Sequence, residues 1–254
     1  MLRIIDARTG EPVDAAPARR GLTRVEAHVV GHDATALRVL LVADVLVRAL
    51  ELGGTPVWAL LSGGGEQPEL RAGAAALGIR PFEDGRASGT GLGEAQVLSV
   101  VGGTDGQDAA GTGTEPDPAL LPRGVRVSVA PAAPEATGIP EGADPTVVRL
   151  ALLSRPRTAP ARLDADALDE ARDTLVRWRR AVADWARQPS RAVPEDVRGE
   201  LRAAWENDLD VPGVLRVLRR VETSELAEGA RFETYAYADR LLGLELTRDL
   251  GSPA

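Results

Sequence analysis

Val25-Glu-Ala-His-Val-Val-Gly31-His-Asp-Ala-Thr35, continued by an apolar pattern to Leu52, decides the fold of this chain. Val25 to Val30 reads as a buried strand, and Gly31 permits a tight exit. Leu37, Leu40, Leu41, Val45 and Leu52 then recur at helical spacing. The next apolar run, Pro56 to Leu61, pairs beside the first strand in parallel only if the helix crosses between them. That is a right-handed strand, helix, strand unit, the core of a nucleotide-binding type of sheet. Ligands of such units sit at the carboxyl end of the strand, where the helix N-terminus favours an anion. Here that place is Gly31-His32-Asp33-Ala34-Thr35.

Outward from this unit, Leu2 to Asp6 is a short strand and Arg8-Thr-Gly-Glu-Pro12 is turn chemistry. Ser62-Gly-Gly-Gly-Glu66 is a loop, and Pro68 to Leu77 is a helix with proline in its first turn. Val97 to Val101 reads as another buried parallel strand, followed by Gly102-Gly103-Thr104-Asp105. Asp105 to Pro118 is low in apolar residues and is expected to be a mobile loop. Val125 to Val129 is a last strand, and Asp144-Pro145 caps and opens a helix that runs towards Ser154.

From Leu163 the period is purely helical. Asp164 caps a helix to about Arg187, and Pro194 opens a second. Asn207-Asp-Leu-Asp-Val-Pro-Gly-Val-Leu215 leads a third, and a fourth runs from Phe232 or Thr234 to Leu246. Four helices with short links predict a bundle, with Trp178, Trp185 and Trp205 filling its core and the arginines on solvated faces. The chain divides into residues 1–160, a nucleotide-binding-type domain, and 161–254, the helical bundle domain.

Val25 to Gly31, Asp33-Ala-Thr35 and Ala43-Asp44 resemble the first strand and signature helix of class I cysteinyl-tRNA synthetases. They resemble the cysteine:glucosaminyl-inositol ligases of mycothiol biosynthesis more closely still. Asp144-Pro-Thr-Val-Val-Arg-Leu-Ala-Leu-Leu-Ser154 and Asp208-Leu-Asp-Val-Pro-Gly-Val-Leu215 are similar to the same group. The resemblance runs from residue 2 to about 250. It implies an α/β fold, a Rossmann-like parallel sheet of the class I synthetase type followed by an all-α helical bundle domain. It also implies that Gly102, Gly103 and Asp105 lie against the ribose of ATP, with Gly31, His32, Asp33 and Thr35 at the first helix and Arg126 supplying positive charge. ATP or an adenylate is the ligand it suggests.

Departures from the family pattern are as informative. The His-Ile-Gly-His type motif falls on Asp33-Ala34-Thr35-Ala36 or in a deletion, according to the alignment. The segment nearest to the Lys-Met-Ser-Lys-Ser type motif is Gly124-Val-Arg-Val-Ser128, and all 30 basic residues of the chain are arginine. Both motifs stabilise charge that develops on phosphate, so their loss removes a large electrostatic term. Val30 stands where the family has its first zinc cysteine, and the His-His-Glu segment has no counterpart around Gln107 to Gly111. With no cysteine, a thiolate zinc site is not expected.

Composition narrows the function further. A net charge of -8 opposes general nucleic-acid binding, and tRNA binding is not expected. There is no long uncharged apolar run and no signal-peptide layout, so a cytoplasmic protein without a membrane segment is expected. The arginine, alanine and glycine excess fits a GC-rich genome such as an actinobacterium's. The reading favoured by the sequence is a catalytically degenerate relative, binding or regulatory, whose partner is a protein or a nucleotide-like small molecule. The alternative is a divergent ATP-dependent amino-acid ligase in which Arg126, Arg123 and His32 replace the missing groups. Each surviving residue also has a plainer reading: His32 and Asp33 as helix cap and loop, His28 as a satisfied core histidine, and Gly102, Gly103 and Asp105 as a strand exit.

Overall fold

The structure is a computed structural model in which residues 1–17, 21–63, 68–85, 94–103, 124–133 and 139–251 are described. Asp105, Arg123, the 105–118 loop and the Gln107 to Gly111 segment lie outside them. Strand β1 (Arg3–Ile5) and β2 (Pro12–Asp14) form an antiparallel hairpin. β3 (Leu22–His28), helix α1 (Ala34–Leu52) and β4 (Val57–Ser62) make the expected crossover unit, with β3 and β4 parallel. Helix α2 (Pro68–Ala76), β5 (Glu83–Asp84), β6 (Glu94–Gly102) and β7 (Val125–Val129) follow. The five strands are ordered β5-β4-β3-β6-β7, and every neighbouring pair is parallel. This is the Rossmann-like sheet that the strand–helix–strand pattern predicts.

Alternation along the strands gives the sheet two unlike faces. Val25, Ala27, Leu98, Val100, Val127 and Val129 are buried and pack with α1 in the hydrophobic core. Arg24, Glu26 and His28 of β3 point the other way, in register with Trp58 and Ser62 of β4, Ser99 of β6 and Arg126 and Ser128 of β7. α1 is buried almost all round, because the sheet covers one side of it and the helical part the other. One apolar cluster therefore runs from Val25 through Leu41 and Leu46 to Leu218 and Leu241.

A short parallel pair, β8 (Ala132–Ala133) with β9 (Ala161–Arg162), flanks helix α3 (Pro145–Leu153). The bundle helices are α4 (Ala165–Trp185), α5 (Glu195–Glu206), α6 (Val211–Glu222) and α7 (Glu228–Leu242). Asp144 and Asp164 cap α3 and α4 through their side chains, as the sequence predicts, and Asp210 caps α6 in the same way. Trp178, Trp185 and Trp205 are buried in the bundle.

The last helix departs from expectation. It starts at Glu228 and stops at Leu242 rather than reaching Leu246. Gly243 takes a left-handed conformation at φ 61°, and Asp239 then accepts hydrogen bonds from the amides of Leu244 (2.7 Å) and Leu246 (3.0 Å). Those bonds satisfy the chain outside the helix, so apolar spacing alone overextended it.

Two polar joints tie the helices to one another and to the sheet. Asp44 of α1, wholly buried, accepts from Arg149 of α3 (2.9 Å), Arg48 (2.9 Å) and Arg80 (3.1 Å). Arg149 spends its other donors on the carbonyls of Leu242 (2.7 Å) and Leu77 (2.9 Å). At the second joint, the turn between α5 and α6 holds Asp208 and Leu209 at φ 54° each. Non-glycine residues rarely adopt that backbone conformation, and here it aims the Asp208 carboxylate at the Ile5 amide (2.9 Å) and at Arg157. Arg157 also donates to the carbonyl of Ser128 (2.6 Å), so the bundle turn grips both β1 and β7.

Candidate functional site

At the carboxyl end of the sheet, Gly31 lies at φ 77°, which lets β3 turn into α1 within a few residues. Asp33 is the N-cap of α1 and accepts from the Ala36 amide at 2.7 Å. Its carboxylate thus occupies one of the amides that an anion would use. Thr35 turns its hydroxyl oxygen to the amide of Ala132 (3.2 Å), tying the helix start to β8. His32 is exposed. On the far side of β3, the Gly103 amide donates to the Val129 carbonyl (2.7 Å), and Gly102 is in register with Val129.

The sheet thus brings Gly31 to Thr35 and Gly102 to Gly103 to one edge. Asp33 and Thr35 are engaged in capping and docking there. Arg126 sits within β7; its amide donates to Asp6 (3.2 Å) and its carbonyl accepts from Ala7 (2.8 Å).

The residues that sequence reasoning missed lie on the sheet face turned away from α1. The Ser62 hydroxyl donates to Glu26 Oε1, Arg24 Nε stands 3.6 Å from Glu26 Oε2, and His28 Nε2 is 3.9 Å from Glu26 Oε1. His28 and Glu26 side chains are each about nine-tenths buried, at 9 % and 10 % exposed. His28 is not the satisfied core histidine that its apolar strand suggested, because its buried Nε2 has no hydrogen-bond partner. The signal was available in the alternation Arg24, Glu26, His28, which places charged groups on every second position of a strand whose other face is apolar.

Burial, with the charges of Arg126 and Arg24, holds the His28 imidazole below the ordinary value of 6.5, and Glu26 opposes this. The unfolded chain therefore binds a proton that the folded chain refuses. The stabilisation tied to neutral His28 is complete above pH 6.5 and is lost as pH falls through the folded value. With two histidines in the chain, an imidazole NMR titration resolves this directly. A midpoint for His28 below 6.5 is expected, and one at or above 6.5 would contradict the burial argument.

Three cavities among the described residues lie elsewhere. One of about 360 Å³ lies between α3, α4 and α6, lined by Ser154, Arg155, Asp166, Glu170 and Arg219 among others. A small one beside Arg38 and Arg157 is lined mostly by apolar groups. The third, about 400 Å³, lies where the C-terminal end of α1 meets α5. None of the three is lined by His32, Thr35, Gly102 or Arg126.

Arg38, fully buried on α1, donates to the carbonyls of Ala130 (2.6 Å), Pro131 (3.0 Å) and Pro156 (2.9 Å). Burial pulls its guanidinium down to about 10, still charged at neutral pH. It pins the chain leaving β7 against α1 and has no carboxylate partner among the described residues.

No family model matches the chain. Among curated proteins it is 38% identical over 109 residues to the L-cysteine:1D-myo-inositol 2-amino-2-deoxy-alpha-D-glucopyranoside ligase of Streptosporangium roseum, which covers 41% of this chain and 26% of the relative. The ligase of the same name from Streptomyces griseus subsp. griseus is 36% identical over 111 residues, 42% of this chain and 26% of its own. That from Kytococcus sedentarius is 38% identical over 122 residues, 41% and 28%. The match thus spans only about a quarter of these relatives' length. The chain is thus similar over part of its length to these cysteine ligases, and its parallel sheet with helices behind it agrees with the likeness to the cysteinyl-tRNA synthetase group read from the sequence.

Proposed function

We propose that this chain is a catalytically degenerate member of that group, acting by binding or regulation and retaining a crevice for a nucleotide or aminoacyl-adenylate. On this reading residues 1–160 hold the crevice and 161–254 form a helical bundle domain that offers surface to a protein partner. Gly31, His32, Asp33, Thr35, Gly102, Gly103, Asp105 and Arg126 are its ligand-facing residues.

The observation that carries the loss of catalysis is chemical. The chain has no lysine, and the Asp33 carboxylate caps α1 where the family aims phosphate-binding groups. A negative charge there opposes charge building on phosphate in the transition state. Cysteine-dependent exchange of pyrophosphate into ATP is expected to be absent, while ATP binds in calorimetry and is weakened by Asp105→Ala. Measurable exchange would overturn the degenerate reading in favour of the divergent ATP-dependent amino-acid ligase, which the names of the relatives support. Absence of both exchange and binding would leave the fold as a protein-interaction module.

A further inference from the structure

On the sheet face turned away from α1, two buried polar groups lack the partners that their burial would lead one to expect, and a third, half-buried group stands near them without a counter-charge among the described residues. His28 Nε2 and Ser99 Oγ are buried without a hydrogen bond, and Ser99 is only 3 % exposed. The half-buried Arg126 guanidinium makes no ion pair among the described residues. Buried polar atoms in folded proteins are nearly always paired, so two on one face, beside an arginine without a counter-charge, require an explanation.

Register brings them together. Ser99 is the direct neighbour of Arg126 on β7 and of Glu26 on β3, and His28 follows Glu26 on the same face. Adjacent strands lie about 4.8 Å apart, so Ser99 stands midway between the strand of His28 and the strand of Arg126. An arginine side chain reaches across that interval.

The charge on this face selects the ligand. Glu26 is paired with Arg24 and has its Oε1 occupied by the Ser62 hydroxyl, and Glu83, held by Trp58, stands on β5 at the opposite edge of the sheet, which leaves Arg126 without a counter-charge on the β7 side. A serine hydroxyl, an imidazole N–H and a guanidinium fork are all able to donate, and the fork matches two oxygens of one acid group. We infer that Arg126, Ser99 and His28 form a subsite for a small oxyanion, a phosphate or carboxylate group of the ligand, on the sheet face away from α1. This deepens the nucleotide-crevice reading and shares Arg126 with it. It also moves the anion from the α1 N-terminus, where Asp33 stands, to the sheet face.

The test is an imidazole NMR titration of the full chain with inorganic phosphate and, separately, with acetate, His28 being assigned through His32→Gln. At least one anion is expected to shift the His28 signals saturably. Arg126→Gln should weaken that binding about tenfold or more, and Ser99→Ala a few-fold. Near-ultraviolet circular dichroism checks that each variant folds, and Ser99→Ala, a small change, keeps the test open if Arg126→Gln does not. Saturation by phosphate alone or by acetate alone identifies the group carried by the ligand.

A shift confined to His32, or none at either histidine, overturns the inference. ATP binding with no response at His28 would sink this subsite and leave the crevice. A phosphate response at His28 without ATP binding would sink the nucleotide reading and leave the subsite.

Discussion

Asp44→Ala is expected to lower the unfolding free energy by about 3–5 kcal/mol, the usual cost of removing one partner from a buried ion pair. The reason is that Arg149 has no exposure at all and would lose its counter-charge while still tied to Leu242 and Leu77. Arg48 and Arg80, both nearby, would add repulsion. Urea unfolding measures the change, and the double variant Asp44→Ala/Arg149→Met separates its causes. With the stranded cation gone, the double variant should be more stable than Asp44→Ala alone.

A cost below about 1 kcal/mol for Asp44→Ala, the level of exposed pairs, would show that this joint does not hold the helices together. Burial alone would raise the Asp44 carboxyl, but Arg149 and Arg48, with hydrogen bonds from Arg149 and Arg80, hold it below the usual range. Its contribution is therefore complete above the ordinary carboxylate value of about 3.9 and is lost as pH falls through the folded value.

Trp178→Ala is expected to cost a similar amount, about 3–5 kcal/mol, from lost burial and the cavity left behind. Trp178 is fully buried, and its ring meets Tyr235 edge-on at 5.6 Å. Tyr235 in turn packs edge-on against Trp185 at 5.2 Å and donates to the Leu218 carbonyl at 2.9 Å. The indole N–H donates to Glu222 (3.0 Å), which also holds Arg177 (2.8 Å). Losing the ring thus loosens α4, α6 and α7 together, and a fall in melting temperature of roughly 10 °C should follow. Trp178→Phe, which keeps an edge-on ring and loses only the N–H bond and some volume, should cost clearly less. Equal losses in the two variants would place the effect in the Glu222 hydrogen bond rather than in ring packing.

Much of the architecture was legible because local signals agreed with one another. Gly31 between an apolar strand and an apolar helix, Asp33, Asp144 and Asp164 as caps, and Pro145 in a first turn each state a local preference that the fold satisfies. The crossover from Val25 to Leu61 then left the parallel sheet as the consistent outcome, with β6 and β7 added from their apolar runs. The end of α7 was not legible, since Gly243 and the reach of Asp239 to Leu244 and Leu246 outweighed an apolar spacing that continued past them.

The site was legible only in part. The sequence placed Gly31 to Thr35 and Gly102 to Gly103 at strand ends, because strand ends are local features. It could not tell that Asp33 and Thr35 are already engaged, since their partners are the Ala36 amide next door and the Ala132 amide ninety-seven residues away. The same holds for the polar face of the sheet, where Glu26 meets Ser62, and Ser99 meets Arg126, only through strand register.

By itself, then, the sequence determined the main strands and helices, the caps of α1, α3 and α4 and the parallel pairing of the crossover unit. It also determined what chemistry is absent, because lysine and cysteine are missing whatever the fold. Only the tertiary structure decided which charges share a dry environment: Arg149 with Asp44, Arg157 with Asp208, and His28 with Glu26 near Arg126. Periodicity records which side of an element turns inward, whereas pairing across 105 residues, as for Asp44 and Arg149, depends on which inward sides meet.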